Sequence, residues 1–253
     1  MPVLSLDIPQ KLHIAQVIDL SGCGLHVDAK LQSGEIKYLA KLYLYLKQQA
    51  ELQNVKTTSQ PDRPLTIGVL ALQGAFEAHA KALTALGVTA KLVRTPSELK
   101  TLDGLIIPGG ESTTFLKFLE RGGFLDALQS FVDTTPTFGT CAGAILLAKN
   151  VENPTQKSLA ALDITVERNA YGRQIDSAIL TEPTKLKGGP LEMVFIRAPR
   201  ITHTGPKVET LATRDGFPVL VREGHLLAAT FHPELSSDPR VHQLFLDLIR
   251  NKA

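Results

Sequence analysis

From residue 65 onward, short apolar runs alternate with amphipathic stretches. Residues 66–72 hold Ile67, Val69, Leu70 and Leu72 and predict a buried strand. A helix is expected over 76–86 and a second strand over 89–93. Residues 99–103 lead into a strand over 104–107, which stops at Pro108-Gly109-Gly110. Apolar positions at helical spacing predict helices over 112–120 and 124–132. A strand over 136–138 is followed by a helix over 144–149. Residues 162–230 are richer in short strand-like runs with turns between them. Residues 239–249 read as a closing helix with Val241, Leu244, Phe245, Leu248 and Ile249 on one face. Strands and helices in this alternation predict an α/β fold, a mostly parallel sheet with helices on both faces. Sites in such sheets gather at the carboxyl ends of strands. The turns at Leu72-Gln73-Gly74, at 108–112 and at Cys141 all fall at such ends.

Residues 54–64 break the pattern. They are polar, carry Pro61 and Pro64, and show no periodicity, so they read as a linker. Before them, 13–20 is strand-like, Ser21-Gly22-Cys23-Gly24 is turn-like and 35–52 is helical. Leu39, Leu42, Tyr43, Leu46 and Ala50 share one face of that helix, which reads as docking on its own domain or on a partner. The expected organisation is an appended α+β extension over 1–53 with no assigned role, a linker over 54–64 and the main domain over 65–253.

An apolar content of 43% in 253 residues is ample for a core. The net charge of +2 argues for neither a nucleic-acid nor an anionic membrane partner. No apolar run approaches the roughly 18 residues that would span a bilayer. The start, Met1-Pro2-Val3-Leu4-Ser5-Leu6-Asp7, lacks the basic and apolar regions of a secretory signal. The two cysteines, Cys23 and Cys141, exclude a disulfide framework and show no zinc-ligand spacing. A reducing cytoplasm is expected, with no metal and no cofactor.

The candidate chemistry centres on Gly139-Thr140-Cys141-Ala142-Gly143. A Cys among small residues, after a strand and before a helix, has the layout of a nucleophile elbow. The helix start offers free N–H groups and a positive dipole end, which favour thiolate. A nucleophilic Cys needs a base and the base an orienter. Phe231-His232-Pro233-Glu234 follows a strand-like run, and Pro233 biases His232 to extended backbone. In an extended segment Glu234 would point the same way as His232 and could hold its tautomer. Pro108-Gly109-Gly110-Glu111-Ser112-Thr113-Thr114 supplies a Gly pair whose backbone could approach an oxyanion, with Ser112 or Thr113 expected to cap the following helix. No nucleotide-loop pattern is present. His79 is expected to face a partner or solvent. His203, His225 and His242 read as ordinary histidines, and Cys23 as inert.

These strings, in this order, resemble the class I, triad-type glutamine amidotransferases. Leu72-Gln73-Gly74, Glu167-Arg168-Asn169, Gly172-Arg173-Gln174-Ile175-Asp176-Ser177, Phe195-Ile196-Arg197-Ala198-Pro199 and Phe231-His232-Pro233-Glu234-Leu235 narrow this to the glutaminase subunits of pyridoxal 5′-phosphate synthase. The resemblance covers about residues 65 to 249 and leaves out the N-terminal extension. It implies a flavodoxin-like three-layer domain that hydrolyses L-glutamine to glutamate and ammonia. It implies Cys141 as nucleophile, His232 as proton relay and Glu234 as its orienter. Gly110, Glu111, Ser112, Arg168, Ile196 and Arg197 would bind glutamine, and the N–H groups of Gly110 and Ala142 would hold the oxyanion. Gln73 would lie near the partner and help form that hole on docking. The partner implied is a (β/α)8-barrel synthase subunit. Glutaminases serving another acceptor, a cysteine hydrolase or chaperone of the related flavodoxin-like group, and a non-catalytic binding subunit remain alternatives. The Gly-Arg-Gln-Ile-Asp-Ser string argues against the first and Ala142, where that group has His, against the second.

Overall fold

The computed structural model describes residues 64–168, 170 and 177–251. The extension over 1–53, nearly all of the linker, Asn169 and residues 171–176 and 252–253 lie outside the described residues. The strands are β1 (Thr66–Leu70), β2 (Thr89–Val93), β3 (Gly104–Ile107), β4 (Thr137–Thr140), β5 (Ala148–Glu152), β6 (Leu162–Glu167), β7 (Ala178–Glu182), β8 (Leu191–Phe195), β9 (Arg200–Thr204), β10 (Glu209–Arg214), β11 (Phe217–Glu223) and β12 (Leu226–Ala229). The helices are α1 (Phe76–Ala85), α2 (Ser112–Arg121), α3 (Phe124–Val132), α4 (Ala142–Leu147) and α5 (Arg240–Arg250).

Seven strands form the central sheet in the order β10-β11-β12-β4-β3-β1-β2. The five from β12 to β2 are parallel, and β10 and β11 add an antiparallel edge. A three-stranded sheet, β5-β6-β9, and the antiparallel pair β7-β8 account for the short runs of the later half.

Successive residues of the parallel strands feed opposite faces, as the two-residue period of a strand requires. Leu105, Ile107, Leu226 and Ala228 join Phe115, Leu119, Phe124 and Leu128 of α2 and α3 in one core. Ile67, Val69, Ile106, Phe138 and Leu227 join Leu83 of α1 and Phe245 and Ile249 of α5 in the other. Burial on both faces explains why these strands read as unbroken apolar runs. The expected three layers are therefore present.

Two expectations need correction near the elbow. The helix after Cys141 runs over Ala142–Leu147, not 144–149, and Ala148 and Lys149 already belong to β5. The closing helix buries Val241, His242, Phe245, Leu246 and Ile249, while Leu244 and Leu248 are only half-buried. His242 thus belongs to the inner face.

The first turn of α4 packs directly against β3. A Cβ on Gly143 would fall on the carbonyl oxygen of Ile107, a backbone atom that cannot swing away. Gly143→Ala should therefore overpack this contact and destabilise the domain by about 1–3 kcal/mol. The reading is a lower urea midpoint with an unchanged slope; an unchanged midpoint would mean the helix can lift from β3 at no cost.

Candidate active site

β3, β4 and β12 are neighbours and parallel, so Ile107, Thr140 and Ala229 end side by side. The chain leaves β3 through Pro108 and Gly109, leaves β4 at Cys141, and leaves β12 through Thr230 and Phe231 to His232. Cys141 N–H donates to Ala229 O at 2.8 Å, which ties the elbow to the strand that carries His232. Cys141 has φ 47° and ψ −103°. That is a left-handed conformation for a residue with a side chain, with a strain of about 1–3 kcal/mol. The side chain is nearly buried, at 7% exposure. α4 has only six residues, so its aligned dipole is small and the charge on a neighbouring side chain matters more.

That neighbour is His232. Its backbone N–H donates to Val194 O of β8 at 2.8 Å. Pro233–Leu235 is a turn of 3-10 helix, so it is this tight turn, and not an extended segment, that brings Glu234 back to the ring. His232 Nδ1 donates to Glu234 Oε1 at 2.7 Å. The other ring nitrogen is left for Cys141. Burial works against the charged imidazole, but its hydrogen bonds to Cys141 and Glu234 prevail and push the pKa up to about 10. The Glu234 carboxyl is itself buried, which favours its neutral form, yet the bond from His232 holds it below the ordinary range. The pair is thus imidazolium and carboxylate at neutral pH. Gly109 lies beneath both groups: a Cβ there would meet His232 Cε1 at 2.5 Å and Cys141 Cβ at 3.1 Å.

A cleft of about 270 Å³ opens above Cys141 and His232. Gly110, Glu111, Ser112, Arg168, Ile196 and Arg197 all line it, so every residue expected at glutamine meets there. Ile145 and Pro199 complete the wall. Arg168 Nη2 donates to Thr113 Oγ1 at 2.8 Å, while its buried Nε has no partner among the described residues. Arg197 is exposed and sits at φ 44°, directly after the exposed Ile196.

The residue capping α2 is Glu111, not Ser112 or Thr113. Its carboxylate accepts from Thr113 N–H at 3.0 Å and Thr114 N–H at 2.6 Å. Partial burial opposes ionisation, but these bonds hold its pKa down to about 2. The Glu111 side chain is therefore committed to the helix start, and what it presents to the cleft is mainly backbone.

A family profile matches residues 69–251, and its description is the SNO glutamine amidotransferase family. The chain belongs to that family. The pyridoxal 5′-phosphate synthase subunit PdxT of Koribacter versatilis is 63% identical over 187 residues, 74% of this chain and 97% of that protein. The PdxT subunit of Bacillus licheniformis is 46% identical, over 73% of this chain and 95% of its own length. A solved glutamine amidotransferase is similar with a TM-score of 0.67 and 48% identity, covering 72% of this chain and 98% of that one.

The amidotransferase holds its Gly-rich turn through Gln73, whose Nε2 donates to Glu111 O at 3.2 Å. Gly110 has φ +149°, and a Cβ there would meet Gln73 Nε2 at 2.6 Å, so the Gln73 side chain rests directly on it. Ala142 stands at the first position of α4, where the N–H has no acceptor within the helix. Among the described residues no cluster of three or more His, Cys, Asp or Glu could hold a metal, and no helix is long and apolar enough to cross a membrane.

His79 departs from expectation. It faces neither partner nor solvent but is fully buried, against Glu234, Thr140 and His242. Burial pushes its pKa down to about 3 and that of His242 down to about 4, although Glu234 pulls both the other way. The signal was available: His79 lies one helical turn before Leu83, and His242 falls inside the Val241–Phe245–Leu246 stripe. Polar residues on apolar faces are buried with them.

These shifts act on stability in opposite directions. For His79 and His242 the folded value lies below the ordinary 6.5, so the unfolded chain binds more protons between the two. Their contribution is present above about pH 6.5 and is lost as pH falls toward 4 and 3. For His232 the folded value is raised, so its contribution is full below 6.5 and is lost as pH climbs toward 10. Unfolding free energy measured against pH should peak between these limits. His79→Gln, which cannot titrate, should flatten the acid side alone; an unaltered acid slope would show that His79 is not held neutral.

Proposed function

We propose that the amidotransferase domain hydrolyses L-glutamine to L-glutamate and ammonia and supplies the ammonia to a pyridoxal 5′-phosphate synthase. The observation that carries this reading is the contact of His232 with both Cys141 and Glu234 beside a cleft that Arg168 also lines. The PdxT relatives, at up to 63% identity, support the choice of acceptor pathway.

Cys141 Sγ attacks the side-chain amide carbon of glutamine. The carbonyl oxygen becomes an oxyanion, held by the N–H groups of Gly110 and Ala142. His232 gives its proton to the amide nitrogen, the C–N bond breaks, and ammonia leaves a γ-glutamyl thioester on Cys141. His232, now neutral, takes a proton from water. The resulting hydroxide attacks the thioester carbon, the C–S bond breaks with its electron pair going to Sγ, glutamate departs after its new γ-carboxyl group loses a proton to solvent, and His232 keeps the proton it took from water. Glu234 keeps the His232 ring in one tautomer throughout. Arg168 takes the α-carboxylate of glutamine, because its guanidinium lines the cleft beside the Gly-rich turn and offers charge-assisted N–H donors. Gly110, Ser112, Ile196 and Arg197 shape the rest of the cleft, and Glu111 serves by capping the helix that carries them.

The acceptor lies on another polypeptide, a (β/α)8-barrel synthase subunit, and the reaction takes place in the cytoplasm. Gln73, now resting on Gly110, turns with that loop when the barrel docks and completes the oxyanion site. Residues 65–253 carry the chemistry, and the extension over 1–53, tethered by 54–64, is accessory to it.

Ammonia release should be weak for the free chain and stronger with the cognate barrel subunit, equally for the full chain and for 65–253. Cys141→Ala should abolish it without lowering the melting temperature, and His232→Ala should reduce it by roughly 10²–10⁴-fold. Turnover that ignores the barrel, or survives Cys141→Ala, defeats the reading. Arg168→Gln should raise KM for glutamine by about tenfold or more, as loss of a charge-assisted bond does, with a smaller change in kcat. A KM unchanged in that variant would assign the carboxylate elsewhere.

A further inference from the structure

Glu234 uses one carboxylate oxygen on His232; the other, Oε2, lies 3.3 Å from His79 Nε2, an ionic contact without hydrogen-bond geometry, and accepts no hydrogen bond among the described residues. His79 belongs to α1, and its side chain is wholly inaccessible to solvent. The same Nε2 is 3.2 Å from Thr140 Oγ1, in the residue before the nucleophile. Its other nitrogen, Nδ1, is 3.0 Å from Nε2 of His242 on α5. The polar chain that starts at Cys141 therefore does not end at Glu234. It continues through His79 to His242, inside a core otherwise built of apolar side chains such as Phe138, whose ring meets both histidines edge-on.

Two buried imidazoles are an expensive way to fill a core that Leu or Phe would fill better. The carboxylate dictates how they are protonated. An ionised Glu234 only accepts, so the nitrogen facing it must carry the proton. His79 is thus the Nε2–H tautomer, and its Nδ1 accepts. His242 must then donate from Nε2. The reverse arrangement would set a bare ring lone pair against Oε2. One charge fixes the direction of the whole chain.

We infer that His79, held in turn by His242, is a positioning residue that clamps Glu234 and through it the imidazole of His232. Glu234 sits on a turn of only three residues and its Oε2 has no hydrogen-bond donor among the described residues, so the His79 N–H dipole at 3.3 Å is what opposes rotation of the carboxylate away from the ring. His79 reaches it from a different element and removes that freedom, and by touching Thr140 it references the base to the strand that bears the nucleophile. The inference rests on the glutaminase reading for its kinetic consequences, but the geometry of the His232–Glu234 bond can be tested apart from it.

The experiment compares His79→Leu, which keeps volume and loses the donor, with His79→Gln, whose amide N–H can occupy the Nε2 position. Both are assayed in the full chain with its synthase subunit, normalised to Cys141 titrated by iodoacetamide. His79→Leu should lower kcat by roughly tenfold to a hundredfold, the range for groups that orient a reacting side chain, with KM for glutamine within about twofold. His79→Gln should recover most of that loss. In the free chain, the low-field NMR resonance of His232 Nδ1–H should persist in the wild type and His79→Gln and shift or broaden in His79→Leu. His242→Phe against His242→Gln should repeat the order with smaller losses, and serves if His79→Leu does not fold. Equal losses in Leu and Gln with an unmoved resonance, or wild-type kcat in His79→Leu, would reduce His79 to packing and overturn the inference. A wild-type chain that releases no ammonia even with the synthase sinks the glutaminase reading instead, and the resonance still decides this one.

Discussion

The backbone hydrogen bond from Cys141 N–H to Ala229 O is the constraint on which the site depends. It joins the end of β4 to the end of β12, and these two strands carry the nucleophile and its base. Neither side chain could find the other through its own flexibility, because both are nearly buried and each has few rotamers open to it. The parallel register places Thr140 against Ala229, so the chains leave the sheet at the same height. Cys141 turns at once into α4, whereas the β12 chain runs on two residues before His232. This offset leaves the imidazole beside the thiol rather than beneath it. Glycine is needed where the two chains and the helix crowd together, at Gly109 beneath both side chains and at Gly143 against Ile107.

Strain and charge then divide the work. The left-handed backbone at Cys141 holds the sulfur up to the cleft, and the surrounding contacts fix it there. The short α4 adds little field of its own. What charges the site is the pairing of His232 with Glu234, which overcomes the penalty of burying an imidazolium. The same carboxylate draws on His79 and His242, yet both stay neutral. The difference is geometric. His232 has the 2.7 Å bond and a second partner in Cys141, while His79 meets Glu234 only at 3.3 Å and is buried where His242 and His232 oppose a charge of its own. One anion can sustain one buried cation, and the closer histidine takes that role.

Much of this was legible in the sequence because it was local. A Cys between small residues, a His before Pro-Glu and a Gly pair after a strand each carry their geometry within a few residues. The two-faced burial of β1, β3 and β12 was legible in their unbroken apolar runs. What escaped were the features set by tertiary contact. Glu111 caps α2, and only a folded helix start shows that its carboxylate reaches Thr113 and Thr114 ahead of Ser112 or Thr113 acting as cap. The 3-10 turn at Pro233 gives the contact expected of an extended segment by another route, because both conformations bring residue i+2 near residue i. α4 ends early because Ala148 is taken into β5 by pairing with Leu162 of β6, a partner beyond the local window.

The buried histidines show why such contacts resist reading from sequence. His79 and His242 lie 163 positions apart, on helices whose apolar stripes alone would put them inside. Their burial follows from the stripes, but their purpose does not. A lone buried His is costly and a pair can satisfy each other, so mutual hydrogen bonding would be explanation enough if it closed on itself. Here it does not close. A neutral imidazole has one donor and one acceptor, so a chain of two has a donor left at one end, and that end lies 3.2 Å from Thr140 Oγ1 and 3.3 Å from Glu234 Oε2. The outward proton of the pair meets Thr140, the residue before the nucleophile, and faces the one buried anion of the active site, and this direction separates a clamp from a filling.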